Sequence, residues 1–417
     1  MVIRATKLTS FASALVLAFP ILLLCVPRGA GIFLAGIVLL AICAREGMSK
    51  TWSAYRNLLY PLGLAILALV IVCLASKLYF GVPWNVIDNP SRILLALLTF
   101  LVVLRSAPDP RAIWCGITIA LVASLVVVTF QYVALGDSRP AAWTQAIAFG
   151  NMVAALGLVG FVRPGTSRRT HALAWTNLAL GAVILVLNGT RGATLAMLLT
   201  ALPLLFVRYR GLSLAKFCTA MGLVAVLGTG LYMIPGSPVA NRINEVLHEI
   251  ERFKDGDTET SVGSRLKVWQ LAMDSIRLHP WMGVGVGQFA RIPQSSSYCR
   301  EVVDSTVCVL EHAHNDVLEA TATMGFPGTL AVLGLFLVPG AMFLRLLRQC
   351  CRNANALGVS LSSAGLGVVM ASLIGGLTQV TMAHQANIVF YAGVIGLLLG
   401  LAAVQAKYPR TDGVEKP

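Results

Sequence analysis

Long apolar runs dominate the chain and are separated by short polar segments and by a single long one. Runs of roughly 16 to 23 residues recur along most of the sequence, about the length that a helix needs to cross a bilayer. Only helices and closed barrels satisfy their backbone groups in lipid, and these runs lack the alternation of barrel strands. The pattern predicts an all-α polytopic membrane protein.

About twelve spans account for the apolar runs, at residues 8–26, 29–44, 57–76, 91–104, 112–134, 144–162, 172–188, 192–207, 214–234, 317–344, 357–382 and 386–405. The first resembles a signal peptide because Arg4 and Lys7 precede it. No small-x-small cleavage site follows, so we expect an uncleaved first helix. The predicted organisation is helices 1–9 in residues 1–234, a loop domain in 235–316, helices 10–12 in 317–405 and a tail in 406–417.

The distribution of basic residues predicts the orientation. With the N-terminus inside, the cytoplasmic segments hold 19 of the 32 Lys and Arg residues, and the short outer connections hold five. This bias predicts that both termini are cytoplasmic and that the long loop is periplasmic. Composition agrees, because 12% of residues are charged against about 25% in soluble domains. The net charge of +14 therefore reflects topology, and we expect no nucleic-acid partner.

The long loop contains patterns typical of two helices and a turn. Residues 241–255 have apolar positions at helical spacing, which predicts an amphipathic helix. It would lie on the membrane, cap the bundle or pack on its own loop. A second helix is predicted at 264–280, with Ser264 as its N-cap and Pro280 as its end. The glycines of 283–287 indicate a tight turn, because no strand precedes them as a dinucleotide site requires.

Cys299 and Cys308 are the only two of the nine cysteines that fall in the outer loop. An oxidising compartment predicts a disulfide between them, and two free thiols are the alternative. The spacings CxxC and HExxH of zinc sites are absent, and no convincing acidic cluster is present. We therefore expect no metal and no cofactor.

Ionisable residues are nearly absent from the predicted spans and collect at their outer ends. Coupled transporters need such residues near mid-membrane, so this distribution counts against a transporter. Arg191 falls on a tight outer hairpin, where it would bind an anionic group or extend to lipid phosphates. Arg265 and Lys267 fall in the predicted first turn of the loop helix. Free N–H groups there would bind an anion, although a solvated surface charge is the simpler interpretation.

The segment 311–315, EHAHN, lies at the threshold of the tenth predicted span. It brings together Glu311, His312, His314 and Asn315. A histidine beside a membrane is usually a surface residue, but two histidines and an amide at this depth indicate a site. The glycines and proline of 324–328 are expected to bend the helix that follows.

These residues carry a family resemblance. His314-Asn315, then nine residues, then Gly325-x-x-Gly328-Thr329 is similar to the signature of the O-antigen ligase family. Arg191-x-x-x-Leu195 resembles its second motif, and Arg265 lies in the long loop where the family has an arginine. Twelve spans with a large loop between the ninth and tenth also resemble the family's layout. The histidine motif is shared with O-antigen polymerases and with protein O-oligosaccharyltransferases.

The resemblance implies a GT-C-like glycosyltransferase of lipopolysaccharide biosynthesis, multi-pass in the bacterial inner membrane and active on its periplasmic side. The donor would be O-antigen linked to undecaprenyl diphosphate, and the acceptor a sugar hydroxyl of lipid A-core. Membrane lipids would be the other partners. Such a donor has its diphosphate at the bilayer surface and its anomeric carbon just outside, which is the depth of these histidines and arginines.

The same resemblance suggests roles for the residues. His314 would be the base of an inverting displacement, and Arg191 and Arg265, with Lys267, would bind the diphosphate in place of a metal ion. His312 is the reserve base, Asn315 would support the site, and Glu311 would orient His314 if the helix began early. An O-antigen polymerase is the first alternative. A protein oligosaccharyltransferase is weaker because little chain follows the last span, and a non-catalytic exporter is the alternative from another class.

Overall fold

A computed structural model describes residues 2–209, 238–302, 304–382 and 384–407, and between 209 and 238 it describes residues 213, 215, 217–219, 222, 229–230 and 233. The described chain is helical and contains no strand. Its helices are α1 (Val2–Cys25), α2 (Gly29–Cys43), α3 (Met48–Phe80), α4 (Asp88–Ser91), α5 (Leu94–Ser106), α6 (Ala112–Ala134), α7 (Ala146–Phe161), α8 (Arg168–Asn188), α9 (Arg191–Arg208), α10 (Pro238–Lys254), α11 (Ser261–Leu278), α12 (Arg291–Ser295), α13 (Ser297–Glu301), α14 (Asp316–Arg352), α15 (Ala356–Gly376) and α16 (Gln385–Lys407). Short 3-10 turns lie at Trp84–Ile87 and Thr306–Val309.

The membrane character of the chain is confirmed by the length and apolar composition of these helices. Within the described residues, nine helical segments are long and apolar enough to cross a membrane, and Gly29–Cys43 and Ala146–Phe161 are shorter apolar helices. The predicted ninth span, 214–234, lies outside the described residues apart from a few isolated positions. The total of twelve spans therefore stays a prediction.

The last helix, α16, forms the centre of the bundle. It is almost entirely buried, and it packs chiefly against α5 and α15. Helix α14 packs against α3 and α15 on one side and contacts the outer-loop helix α11. Through α14, the membrane bundle and the outer loop share one continuous set of contacts.

The outer loop differs from expectation at its main helix. The predicted helix 264–280 is wrong at its start, because α11 begins at Ser261. Thr260 is the N-cap, and its hydroxyl accepts the Gly263 N–H at 2.9 Å. Arg265 consequently lies in the second turn. The expected anion site on free N–H groups of the first turn is also wrong, since Thr260 accepts one of them and Glu249 accepts that of Val262 at 2.8 Å.

The predicted amphipathic helix at 241–255 corresponds to α10, Pro238–Lys254. It packs against α11, and the Glu249 side chain reaches the start of that helix. These contacts show packing on its own loop, and the ion pair of Glu245 with Arg191 of α9 at 3.5 Å also places the helix against the end of the bundle. Whether it also meets the membrane stays a prediction.

A break in α14 joins the outer loop to the bundle. Gly325 has φ 67° and ψ −166°, so the helix is interrupted there as the motif at 324–328 predicted. The glycine-rich turn docks at this break: the N–H groups of Val284 and Gly285 donate to the carbonyls of Ala322 and Thr323 at 3.0 and 2.9 Å. The Phe326 N–H donates to the Pro280 carbonyl at 2.9 Å. Backbone groups freed by the break are thus satisfied by the loop.

A side chain at position 325 should loosen this junction. The φ is positive, and an added Cβ would lie 2.3 Å from the backbone of Trp281. We expect Gly325→Ala to destabilise the protein by about 2 kcal/mol or more and to lower its thermal unfolding midpoint in detergent. Gly334→Ala is the control, because a Cβ at Gly334 of the same helix meets nothing within 4 Å and alanine favours helix. Equal midpoints for the two variants would contradict the proposed junction.

Candidate functional site

His314 occupies a constrained position immediately before α14. Its φ is 52°, a left-handed conformation that non-glycine residues seldom adopt and that commonly marks functional sites. The preceding Ala313 is fully buried, and its carbonyl accepts the indole N–H of Trp269 at 2.7 Å. The His314 ring is partly buried and makes no hydrogen bond to any residue that the structure describes. Its nitrogens are therefore available to a ligand.

Asn315 holds the start of α14 in place. Its side-chain oxygen accepts the N–H groups of Val317 and Leu318, both at 3.0 Å, which makes it the N-cap. Its amide nitrogen donates to the Leu377 carbonyl at 3.1 Å. Asn315 therefore supports the backbone beside His314, and its polar atoms are already occupied.

Asp316, the first residue of α14, anchors the segment 377–382 that links α15 to α16. Its carboxylate is buried and accepts the N–H groups of Thr381 and Met382 at 2.7 and 3.1 Å, together with the Thr381 hydroxyl. These hydrogen bonds hold the segment between α15 and α16 against the start of α14, two residues after His314.

The same segment contacts the helix that carries Arg191. A Cβ added at Gly192 would lie 2.5 Å from the Thr378 hydroxyl and 2.8 Å from the Gln379 amide nitrogen. A side chain at position 192 would force the Thr378 and Gln379 side chains to shift. The segment 377–382 therefore brings the first turn of α9 and the start of α14, which are distant in sequence, to one region of the structure.

Three arginines bring their charges close together in this region. Arg265 is more than half buried, and burial together with the charges of Arg191 and Arg139 lowers its pKa below the ordinary value. It makes no hydrogen bond or ion pair with the described residues. Arg191 pairs with Glu245 at 3.5 Å, with both side chains largely exposed. Weak pairing of exposed groups leaves Arg191 available to another anion.

Arg139, the third of these arginines, was not identified as a site residue from the sequence. It lies between α6 and α7, and its side chain makes no hydrogen bond to the described residues, although its backbone N–H donates to Asp137 at 2.9 Å. Its place in a short outer connection was visible in the sequence. Its proximity to Arg265 was not, because it depends on the packing of separate helices.

The environment of His314 keeps its ring neutral. Burial and the nearby charges of Arg265, His312 and His384 lower its pKa to about 4. An imidazole near pH 7 in this setting is unprotonated and can accept a proton. Because Arg265 contributes to the shift, an anion bound by the arginine would raise the pKa of His314 towards neutrality.

His312 has the opposite environment. Its Nδ1 lies 3.0 Å from Glu319, and this hydrogen bond is the main reason that the pKa of His312 is raised. The other Glu319 oxygen accepts the Ala313 N–H at 2.7 Å. Glu319 therefore ties the residues just before His314 to the first turn of α14. The sequence did not predict this role of Glu319, because the contact forms only when the left-handed turn at His314 brings His312 and Ala313 back to the first turn of α14.

The expected support from Glu311 is not realised. The proposal required α14 to start early, so that Glu311 would lie one helical turn before His314. The helix instead begins at Asp316, because Asn315 caps it and His314 adopts a left-handed conformation. Glu311 is exposed, and Glu319 is the carboxylate that contacts the histidine segment.

Lys267 lies apart from the arginines. Its ammonium is 4.5 Å from the centre of the Tyr298 ring, and two residues on a helix project about 200° apart. Lys267 thus faces away from Arg265 and towards the segment that Cys299 and Cys308 close with a disulfide, at a Cα–Cα distance of 5.7 Å. In the part of the chain that the structure describes, no group of three His, Cys, Asp or Glu residues is placed to hold a metal ion.

Two sizeable cavities lie at helix ends in the described part of the chain. The larger, of about 1170 Å³, lies between the end of α3, the end of α11 and the segments 279–284 and 291–297. None of the three arginines or His314 lines it. The smaller, of about 460 Å³, includes His384 in its wall. Since the ring centres of His384 and His312 are 5.7 Å apart, the smaller cavity adjoins the histidines.

Comparison with known proteins identifies a family domain over part of the chain. Residues 176–333 match the family model described as O-Antigen ligase, and this segment contains Arg191, Arg265 and His314. The chain is 22% identical over 399 residues to an uncharacterized protein from Haemophilus influenzae, covering 93% of this chain and 98% of that one. It is 23% identical over 193 residues to an O-antigen ligase from Escherichia coli, covering 43% of each chain.

The pair of His312 and Glu319 predicts a pH-dependent contribution to stability. A raised pKa in the folded state stabilises fully below the unfolded value of about 6.5, and the effect is lost as pH rises through the raised pKa. Glu319→Gln removes the carboxylate charge but keeps an acceptor for the Ala313 N–H. We expect this variant to lower the thermal midpoint more at about pH 6 than at about pH 9.

The exposed Glu301 of the same loop offers the matched control, since Glu301→Gln should show no such difference between the two pH values. An equal loss of stability at both pH values in Glu319→Gln would contradict the assigned pairing of Glu319 with a protonated His312.

Proposed function

Since the chain carries a domain of the O-antigen ligase family, we propose that it transfers polymerised O-antigen from undecaprenyl diphosphate to a sugar hydroxyl of lipid A-core. The reaction takes place at the periplasmic face of the bacterial inner membrane. The observation that carries the proposal is that His314, which makes no hydrogen bond to the described residues, lies close enough to the half-buried Arg265 for the arginine charge to lower its pKa. A neutral base beside an anion-binding group suits displacement of a diphosphate by a hydroxyl.

His314 acts as the general base. It takes the proton of the acceptor hydroxyl while that oxygen forms a bond to the anomeric carbon of the donor. The bond from this carbon to the diphosphate oxygen breaks, and undecaprenyl diphosphate leaves with the electron pair. Attack opposite the leaving group inverts the anomeric configuration.

Arg265 and Arg191 bind the diphosphate and stabilise the charge that develops on it. Fixed cations directed at a leaving group are effective because they need no reorganisation during the reaction. The guanidinium fork also matches two phosphate oxygens. Arg139 adds long-range positive charge, whereas Lys267 on Tyr298 is not assigned a role in binding the diphosphate.

Binding of the donor also prepares the base. A pKa of about 4 leaves His314 neutral but weakly basic, and efficient general bases have a pKa near the working pH. The diphosphate offsets the charge of Arg265 and so raises the pKa of His314 in the complex.

The first experiment compares the transfer rates of purified variants with lipid-linked O-antigen and lipid A-core. His314→Ala should lose about 10²- to 10⁴-fold, as expected for a positioned base. Arg265→Lys and Arg191→Lys should lose about ten- to a hundredfold, because lysine keeps the charge without the fork. The controls are His279→Ala and Arg277→Lys. Arg277 is an exposed residue of α11, and its guanidinium is 2.9 Å from Asp274.

Each variant is first shown to keep the thermal midpoint of the wild type. An active His314→Ala together with an inactive His312→Ala would identify the other histidine as the base. Full activity in both would refute the mechanism. In a deletion strain, loss of long-chain lipopolysaccharide with accumulation of polymerised carrier-linked glycan is expected. Core bearing a single repeat would instead indicate a polymerase.

Metal independence is a separate part of the proposal. The arginines occupy the electrostatic role that a divalent cation would otherwise have. We expect EDTA to leave transfer by the purified enzyme unchanged. Loss of activity in EDTA that magnesium or manganese restores would contradict this, and purified enzyme is required because chelators disrupt outer membranes.

A further inference from the structure

We propose that the 460 Å³ cavity beside His384 binds the terminal sugar of the acceptor glycan. This inference rests on the proposed function and assigns one of its two substrates to a place in the fold. The cavity lies between the outer ends of α1 and α2, the residues that precede α7 and the start of α16. Its volume falls within the range of about 300–1,000 Å³ for ligand sites.

Position is the first argument. His384 forms part of the cavity wall, and its ring meets the ring of His312 at 5.7 Å between centres. His312 in turn shares Glu319 with the backbone of Ala313, the residue before His314. A sugar in this cavity would therefore lie on the side of the site where His384 and His312 lead to His314. The acceptor hydroxyl has to reach that base.

The second argument is the chemistry of the wall. Gln145, Gln385 and His384 present neutral groups that both donate and accept hydrogen bonds, and their side chains make none to the described residues. Trp143 supplies an exposed aromatic surface, and its indole N–H donates to the Cys25 carbonyl at 3.0 Å. Apolar residues such as Met152 complete the lining. Neutral amides and an aromatic ring suit an uncharged hydroxylated ring.

The third argument separates acceptor from donor. The diphosphate of the donor requires cations, and the arginine group of Arg139, Arg191 and Arg265 is not part of this cavity. A single arginine, Arg28, lines it. With the diphosphate bound by the arginine group, the cavity is left for the second substrate. The two substrates then approach His314 from different sides, as displacement with inversion requires.

The test uses the full-length purified enzyme and lipopolysaccharide acceptor isolated from a strain that lacks this protein. Gln145→Ala and Gln385→Ala should each raise the KM for this acceptor about three- to tenfold, the effect of losing one hydrogen bond. The KM for the lipid-linked donor should not change. Gln294→Ala is the matched control, because Gln294 lines the larger cavity and should leave both KM values unchanged.

Three results would overturn the assignment. A rise in acceptor KM in Gln294→Ala alone would place the acceptor in the larger cavity. A rise in donor KM in the Gln145 and Gln385 variants would assign the small cavity to the donor glycan. Unchanged constants in all three would show that neither cavity side chain contacts a substrate.

A binding measurement separates this inference from the proposed function. Delipidated core oligosaccharide from the same strain should bind the wild type more tightly than Gln145→Ala, whether or not transfer occurs. A wild type that forms no transfer product refutes the proposed function. Equal binding by wild type and variant overturns the cavity assignment.

Discussion

The break in α14 at Gly325 is the constraint on which the outer face depends. An intact helix would use its own backbone groups and offer none to a neighbour. At the break, carbonyls of the preceding turn accept N–H groups of the glycine-rich segment, and the Phe326 N–H donates to Pro280. Backbone hydrogen bonds are directional, so they fix both the position and the orientation of the outer loop. Helix α11, which carries Arg265, immediately precedes this docked segment.

A second connection places His314 relative to the arginine of the bundle. The buried carboxylate of Asp316 holds Thr381 and Met382, while Thr378 and Gln379 pack against Gly192. The segment 377–382 thereby couples α14 to α9. An unpaired buried carboxylate would be unfavourable, and the three hydrogen bonds from this segment satisfy it. The Asp316 carboxylate and the side chains of Thr378 and Gln379 thus hold the start of α14 and the start of α9 against one segment.

His312 and His314 have opposite pKa shifts because their surroundings differ. His312 gains Glu319, which raises its pKa, whereas burial and positive charge lower that of His314. Opposite shifts in adjacent groups are typical of sites where one residue accepts a proton and another holds position. Glu319 serves both histidines, because it pairs with one and anchors the backbone before the other.

Hydrophobic patterning alone determined the class of this protein. Continuous apolar runs require helices in lipid, and the described helices coincide with eleven of the predicted spans, nine long and two shorter. Arg191, Arg265 and His314 could be selected because they lie at predicted helix ends or in the long loop and in segments similar to the family's motifs. The break at Gly325 was also predicted, from the glycines and proline of 324–328.

Tertiary structure decided what those residues contact. Glu319, and not Glu311, contacts the histidine segment. The left-handed turn at His314 and the cap by Asn315 place the start of the helix at Asp316, so Glu311 lies outside it. Thr260 is the N-cap of α11, so the helix starts at Ser261. Arg265 therefore lies in the second turn, and Lys267 faces Tyr298. Arg139 and His384 joined the site from connections far apart in the chain. Patterns report which face or end of a helix a residue occupies, whereas contacts between distant segments depend on how the helices pack together.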